Sequence, residues 1–100
     1  MATTPKLMYR GNAATSNTTL YTVGSGKTGI VTDIVVTNTD SVSATFTLNL
    51  NGTTLLSAAT LAANSTATFE LKQVLESADT VSGSASATTV KFHISGVEVI

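Results

Sequence analysis

The fold is decided by residues 42–56, which read VSATFTLNLNGTTLL. Apolar and polar side chains alternate over residues 44–50, which is the period of a β-strand with one buried face. Asn51 and Gly52 follow at once, and this pair favours a two-residue turn because both turn positions need a positive φ. Thr53–Leu56 then continues as a second strand-forming stretch. The segment therefore predicts a β-hairpin.

The same strand pattern recurs along most of the chain. Stretches rich in Thr, Val and Ile, bounded by Gly, Asn, Asp and Ser, are typical of strands separated by turns. Beyond the hairpin, the predicted strands are Thr18–Val23, Thr28–Thr39, Thr66–Lys72, Asp79–Ser84 and Thr88–Ile94, with Lys6–Arg10 and Val97–Ile100 as weaker candidates. Residues 73–77 are expected to make one helical turn. About eight antiparallel strands without a long helix predict an all-β fold, either a β-sandwich or a small barrel.

Side-chain alternation also predicts which residues form the core. The inner faces of the two layers are expected to carry Phe46, Leu48, Phe69, Leu71, Phe92 and Ile94. One face of the stretch 28–39 is expected to carry Ile30, Thr32, Ile34 and Val36. Tyr9 and Tyr21 are expected to lie outside the core. Gly96 is expected to allow a bulge or a close approach between strands.

The length and composition of the chain limit what it can be. With 100 residues, it is long enough for one core and too short for two ordinary domains. The regular strand pattern begins at Thr18. We therefore expect residues 1–17 to form an N-terminal arm and residues 18–100 to form a single β-sandwich domain. Apolar residues make up 42% of the chain and the net charge is −1, which is not the composition of a disordered chain.

Charge and cysteine content exclude several classes of function. A net charge of −1 leaves no general basic surface for nucleic acid. Without cysteine there is no disulfide, zinc thiolate or thiol nucleophile. No apolar run approaches the length of a membrane helix, and the N-terminus lacks the apolar core of a signal peptide. We therefore expect a soluble protein made in the cytoplasm, with no nucleic-acid or membrane partner.

Three features resemble parts of catalytic or ligand sites, and none is complete. Residues 24–28, GSGKT, resemble a phosphate-binding loop, but the first glycine of that motif would be Tyr21, and a predicted strand follows instead of a helix. His93 is the only histidine and lies on the predicted outer face of a strand. The six acidic residues lack the spacing of a metal loop and do not single out a carboxylate pair. We therefore expect no catalytic residue, metal, cofactor or small-molecule substrate, and a protein that is not an enzyme.

The scarcity of charge indicates a protein that packs against neighbours. Charged residues make up 11% of the chain, where about 25% is usual. Free strand edges are ordinarily protected by charges or proline, yet residues 28–39 carry only Asp33 and residues 42–56 carry no charge. Burying Thr, Ser, Asn and Ala costs far less than burying Lys or Glu. We expect an assembly subunit; the alternative is a monomer whose own loops cover its strand edges.

Several stretches of the chain resemble small virion proteins of tailed bacteriophages. They are Leu20–Thr28, Ile30–Thr39, Phe46–Thr53, Leu71–Leu75 and Phe92–Val99, which together cover most of residues 18–99. A proline is usual in such proteins where this chain has Gly24. The resemblance to head decoration (cement) proteins implies a jelly-roll-like β-sandwich that forms a homotrimer on the outer capsid surface of a virion. Its partners would be the major capsid protein and copies of itself, and it would stabilise the shell by binding only its assembled form.

The resemblance also implies a set of contact residues. The N-terminal arm is expected to bind the capsid or clasp a neighbouring subunit, because an extended segment can add a strand to a free sheet edge. A frayed terminus is the alternative. The candidate contact residues are Pro5, Lys6, Leu7, Met8, Tyr9 and Arg10. Two other functions stay open: a tail, neck, baseplate or fibre-base component, and a carbohydrate-binding adhesive module, for which a chain without tryptophan offers few aromatic platforms.

Overall fold

The structure, a computed structural model, describes residues 3–100, and every regular element among them is a β-strand. The strands are β1 (Thr3–Asn12), β2 (Thr18–Thr22), β3 (Thr28–Asn38), β4 (Ala44–Leu50), β5 (Thr53–Leu61), β6 (Thr66–Leu75), β7 (Thr80–Ala85) and β8 (Val90–Val99). Branched side chains are frequent in them because such side chains fit the pleated surface of a sheet. The predicted all-β class is confirmed.

The strands form two antiparallel four-stranded sheets that pack face to face. Sheet A has the strand order β1-β8-β3-β6, and sheet B has the order β2-β7-β4-β5. Successive strands alternate between the sheets, except at the β4–β5 hairpin. This order is that of a jelly roll, an eight-stranded sandwich of two Greek-key motifs. The predicted sandwich is therefore confirmed over the described residues, and the small-barrel alternative is wrong.

The turn between β4 and β5 lies at Asn51 and Gly52, as the sequence predicts. Their φ angles are 48° and 80°, in the left-handed region that both central positions of a tight hairpin turn require. Ala44, Phe46 and Leu48 are buried, and the residues between them are half-buried on the opposite face. Both the position of the hairpin and the faces of its first strand are confirmed.

The core lies between the sheets and combines aromatic and aliphatic side chains from both. Phe46 of sheet B packs against sheet A, where its ring centroid is 6.2 Å from that of Phe69 and 6.2 Å from that of Phe92. Four of the six predicted core residues are fully buried: Phe46, Leu48, Phe92 and Ile94. The other two, Phe69 and Leu71, are partly buried, because β6 is an edge strand of sheet A.

A bulge in β3 changes, part way along the strand, which alternate residues face the core. Against both neighbouring strands the register shifts between Val31 and Asp33. Relative to β8, Thr32 is an extra residue, whereas relative to β6 it lies opposite two residues, Leu71 and Lys72. Val31 and Ile34 are both buried although they are three residues apart. Ile30 consequently faces outward. The prediction that Ile30 and Thr32 share a face with Ile34 is therefore wrong, because strict alternation does not register an inserted residue.

The same level of sheet A contains a close approach at Gly96. A Cβ atom at this position would overlap the carbonyl oxygen of Ile30 and lie 2.8 Å from Cε of Met8. Gly96 therefore lets β8 run without interruption between the bulged strands β1 and β3. The predicted close approach is confirmed.

One local prediction, the helical turn at residues 73–77, is wrong. Residues 73–75 extend β6, because their backbone pairs with Val31, Ile30 and Gly29 of β3. Pairing within a sheet outweighs the weak helical tendency of a five-residue segment.

Candidate interaction surfaces

Charged side chains are distributed unequally between the two sheets. The strands of sheet B contain no Asp, Glu, Lys or Arg. The strands of sheet A carry Lys6, Arg10, Asp33, Glu70, Lys72, Lys91 and Glu98, and the connecting loops carry Lys27, Asp40, Glu76 and Asp79. The charged residues of the strands therefore all lie in one layer of the sandwich, sheet A.

The outer face of sheet B, termed the neutral face, consists of hydroxyl and amide side chains. Its central members are Thr19, Thr45, Thr47, Asn49, Ser82 and Ser84, of which Ser82 is already buried and the others are half-buried or exposed. They form cross-strand neighbours, with Thr47 opposite Ser84 and Asn49 opposite Ser82. Small neutral side chains lose little entropy and little solvation when another surface covers them. The neutral face can therefore be buried at low cost.

Four apolar side chains cross the outer face of sheet A in one line, one from each strand. This apolar row is Pro5, Val97, Ile30 and Val74, and each is the register partner of the next. Val74 is 64% exposed, and Leu7 extends the row along β1 with 52% of its surface exposed. Contiguous exposed apolar groups, unlike single ones, mark contact surfaces. Sequence reasoning missed Ile30 here because the bulge in β3 turns it outward.

A polar and charged band borders the apolar row. Asp33 and Glu70 are direct register partners, and Arg10 and His93 are partners in the next line across the sheet. Lys91 lies two residues before His93, on the same face of β8. An apolar patch beside a polar border resembles the anatomy of protein–protein contacts. His93 lies on the outer face, as predicted, beside a guanidinium group.

The six candidate contact residues lie in β1, the edge strand of sheet A. Pro5, Lys6, Leu7 and Arg10 are exposed, whereas Met8 is buried and Tyr9 is partly buried. Met8 turns into the core at a register shift between Leu7 and Tyr9. Four of the six side chains are therefore available to a partner, and two belong to the sandwich itself.

The predicted division of the chain at residue 18 is corrected by β1. Residues 3–12 pair with β8 along their whole length instead of forming a detached arm. An edge strand tolerates Pro5, which has no N–H to donate to a neighbouring strand. The sandwich of the described residues thus begins at Thr3, and Met1 and Ala2, the first residues of the predicted arm, lie outside the described residues.

The side of the sandwich between β5 and β6, termed the open side, exposes part of the core. Leu55, Leu56, Phe69 and Leu71 line an apolar groove of about 150 Å³ there. Ile34 also lines this groove, and Leu55 is 38% exposed. At the opposite side of the sandwich, β1 and β2 lie in contact. The two layers are therefore less completely closed at the open side.

Tyr21, Glu98 and Lys27 form a polar cluster that joins the two sheets. The Tyr21 hydroxyl donates a hydrogen bond to Oε2 of Glu98, and Nζ of Lys27 lies 3.8 Å from Oε1. The hydrogen bond from Tyr21 lowers the pKa of Glu98 despite the opposing effect of burial, and Lys27 and Lys6 lower it further. Burial, followed by the bond to Glu98, raises the pKa of Tyr21 to about 12. Tyr21 belongs to the core, so the prediction that it lies outside is wrong.

Within residues 3–100, neither a phosphate-binding loop nor a metal site is formed. Residues 24–28 form a turn in which the Lys27 N–H donates a hydrogen bond of 3.1 Å to the Gly24 carbonyl oxygen. Strand β3 follows directly, whereas phosphate binding of this kind uses the N-terminus of a helix. No group of three or more His, Asp or Glu side chains in the described part of the chain could hold a metal ion. The candidate functional features are therefore surfaces.

Comparison with known proteins finds no relative of this chain. None of the protein-family models, curated proteins or solved structures compared with the chain matches it. Residues 3–100 contain no helix long and apolar enough to cross a membrane. The functional interpretation therefore depends on the fold and on the residues of its surfaces.

Proposed function

We propose that the protein is a non-enzymatic structural component of a tailed-bacteriophage particle, and that it decorates the outside of the capsid as an oligomer. The observation that carries this proposal is the apolar row with Leu7, which presents apolar groups from all four strands of sheet A. An exposed patch of this kind is unfavourable in water and favourable against another protein. The neutral face adds a second surface that neighbours can cover at low cost.

The resemblance to small virion proteins supports the viral setting. It covers most of residues 18–99, and the jelly-roll order of the strands agrees with the architecture that the resemblance implies. A protein that binds the assembled shell and not its free subunits stabilises the shell by mass action. In this role the apolar row supplies affinity, and the adjacent charged band orients the contact.

The shell-binding surface is tested with Leu7→Glu. Purified chain is added to capsids of the phage that encodes it, prepared without this protein, and occupancy is measured by gel densitometry. We expect the wild type to saturate its sites and Leu7→Glu to bind at least about tenfold more weakly, because the variant buries a carboxylate in an apolar contact. Ser43→Glu introduces the same charge in the exposed loop between β3 and β4, outside both surfaces, and is the matched control, with occupancy close to that of the wild type.

Two results would contradict the proposed surface or function. Equal binding by Leu7→Glu and the wild type would show that the apolar row is not the contact. Failure of the wild type to bind any capsid of that phage would remove the decoration function itself.

A further inference from the structure

We infer that the open side is a two-fold interface between two copies of this chain. Its support comes from the residues of β5 and β6 and is independent of the proposed capsid partner. A two-fold contact makes a dimer, whereas the resemblance to decoration proteins implies a trimer. The molecular mass in solution therefore distinguishes the dimer from the trimer.

The open side is the least protected edge of the sandwich. Of the four edge strands, β1 carries Pro5, Lys6 and Arg10, and β2 is only five residues long. In contrast, β5 extends over nine residues without a charge or a proline, and two register shifts against β4 interrupt it. The regular stretches of such an edge pair readily with another strand unless something covers them. The apolar groove beside it, with Leu55 38% exposed, adds a reason for this side to be covered.

The charges of β6 favour a second copy of this chain as the occupant. Glu70 and Lys72 are the only charged residues of β6, they have opposite signs, and they flank Leu71. A two-fold axis near Leu71 sets Glu70 of one copy opposite Lys72 of the other, and the symmetry repeats this pair. A strand with two like charges could not pair with itself in this way.

The absence of charge on β5 fits the same symmetry. A two-fold axis brings each surface against its own copy, so a charge on the axis, or charges of one sign on both sides of it, meet like charges. Because β5 has no charged residue, its self-pairing creates no such repulsion. Both edges of the open side are therefore self-complementary.

The size of the open side predicts a weak dimer. Nine residues of β5 span about 30 Å, and the shortest extent of the fold is 18 Å. A contact over this side buries on the order of 500 Å² of each copy, compared with about 800 Å² in a standard interface. We therefore expect dimer formation to depend strongly on protein concentration.

The test is sedimentation equilibrium of the full chain and four variants over a range of concentrations. The wild type is expected to pass from the 10.2 kDa chain to twice that mass as concentration rises. Glu70→Lys and Lys72→Glu each replace the two opposite-charge pairs with like-charge pairs, so each should weaken the dimer at least about tenfold. The double variant, Glu70→Lys with Lys72→Glu, restores opposite charges and should associate within about threefold of the wild type.

The substituted residues are exposed, so the variants are expected to fold, which thermal unfolding verifies. Lys6→Glu makes the same charge change as Lys72→Glu on the other edge of sheet A and should leave the dimer intact. A monomer at every concentration, a trimer, or failure of the double variant to recover would each overturn the two-fold interface.

Discussion

Tyr21 of sheet B donates a hydrogen bond to Glu98 of sheet A, across 77 positions of the sequence. Lys27 Nζ, 3.8 Å from the second oxygen of the carboxylate, completes the cluster. The contact ties the two layers together at one end of the sandwich through an ionised group. Its strength should therefore depend on pH in a way that the apolar core does not.

The stability of the protein is expected to fall at both ends of the pH scale because of this contact and the burial of Tyr21. The pKa of Glu98 is lower in the folded protein than in the unfolded chain, so its contribution is complete above about pH 4.5 and is lost as pH falls through the folded value. The pKa of Tyr21 is raised to about 12, so its contribution is complete below about pH 10 and is lost as pH rises toward the folded value.

Urea unfolding of the wild type and Tyr21→Phe measures this dependence. At about pH 7 the variant should have the lower midpoint, since it lacks the donor to Glu98. As pH falls from about 4.5 through the folded pKa of Glu98, the difference between the two midpoints should shrink, because protonated Glu98 accepts a weaker bond. A difference that stays the same as pH falls until the fold is lost would show that only packing of the ring is lost.

Gly96→Ala is expected to destabilise the fold by at least about 3 kcal/mol, because the added Cβ overlaps the carbonyl oxygen of Ile30. Gly26→Ala is the matched control. Gly26 has a φ of 76° but no atom within 4 Å of a Cβ, so its replacement carries only the backbone penalty of about 1 kcal/mol. Chemical denaturation of both variants gives the comparison, and equal losses would contradict the close approach.

Asp33 and Glu70 face each other directly across β3 and β6, and this pair of like charges should lower the stability of the single chain. Glu70→Lys is expected to raise the free energy of unfolding by about 0.5 kcal/mol, and Glu70→Gln by less. The gain should decrease in high salt. Thermal unfolding at low protein concentration, where the chain is monomeric, checks this, and a gain that does not respond to salt would argue against repulsion.

Asn38→Ala is expected to cost about 2–3 kcal/mol, because Asn38 is buried and supports the loop after β3. Its Nδ2 donates hydrogen bonds to the carbonyl oxygens of Val42 at 2.9 Å and Leu61 at 3.4 Å, and its Oδ1 accepts one from the Asp40 N–H at 3.1 Å. Asn17→Ala removes an exposed amide and should change stability by less than about 0.5 kcal/mol. Denaturant unfolding distinguishes the two, and similar values would be contrary to this role.

Alternation predicts the faces of β4 and β8 correctly because both strands keep a regular period through the core. Phe46, Leu48, Phe92 and Ile94 are buried as expected. The faces of β3 are not predictable in this way, since the bulge at Thr32 arises in the pairing with β8, which is distant in sequence. The local sequence pattern therefore predicts the strands, but an inserted residue can be located only when the neighbouring strands are known.

The position of the candidate surfaces is only partly predictable. Low charge and the predicted contact residues lead to Pro5 and Leu7, which the structure places in and beside the apolar row. The remaining members, Val97, Ile30 and Val74, come from three further strands and meet only through the register of sheet A. Their separation along the chain leaves no local signal.

The copy number of the chain in purified particles of the phage that the proposal implies tests the proposed function most directly. A decoration protein of the shell should be present on the order of hundreds of copies per particle, because it repeats with the capsid lattice. Quantitative gel densitometry against the major capsid protein measures this ratio. Absence from the particle would contradict a structural role, and a handful to a few dozen copies would contradict the capsid position in favour of a tail component.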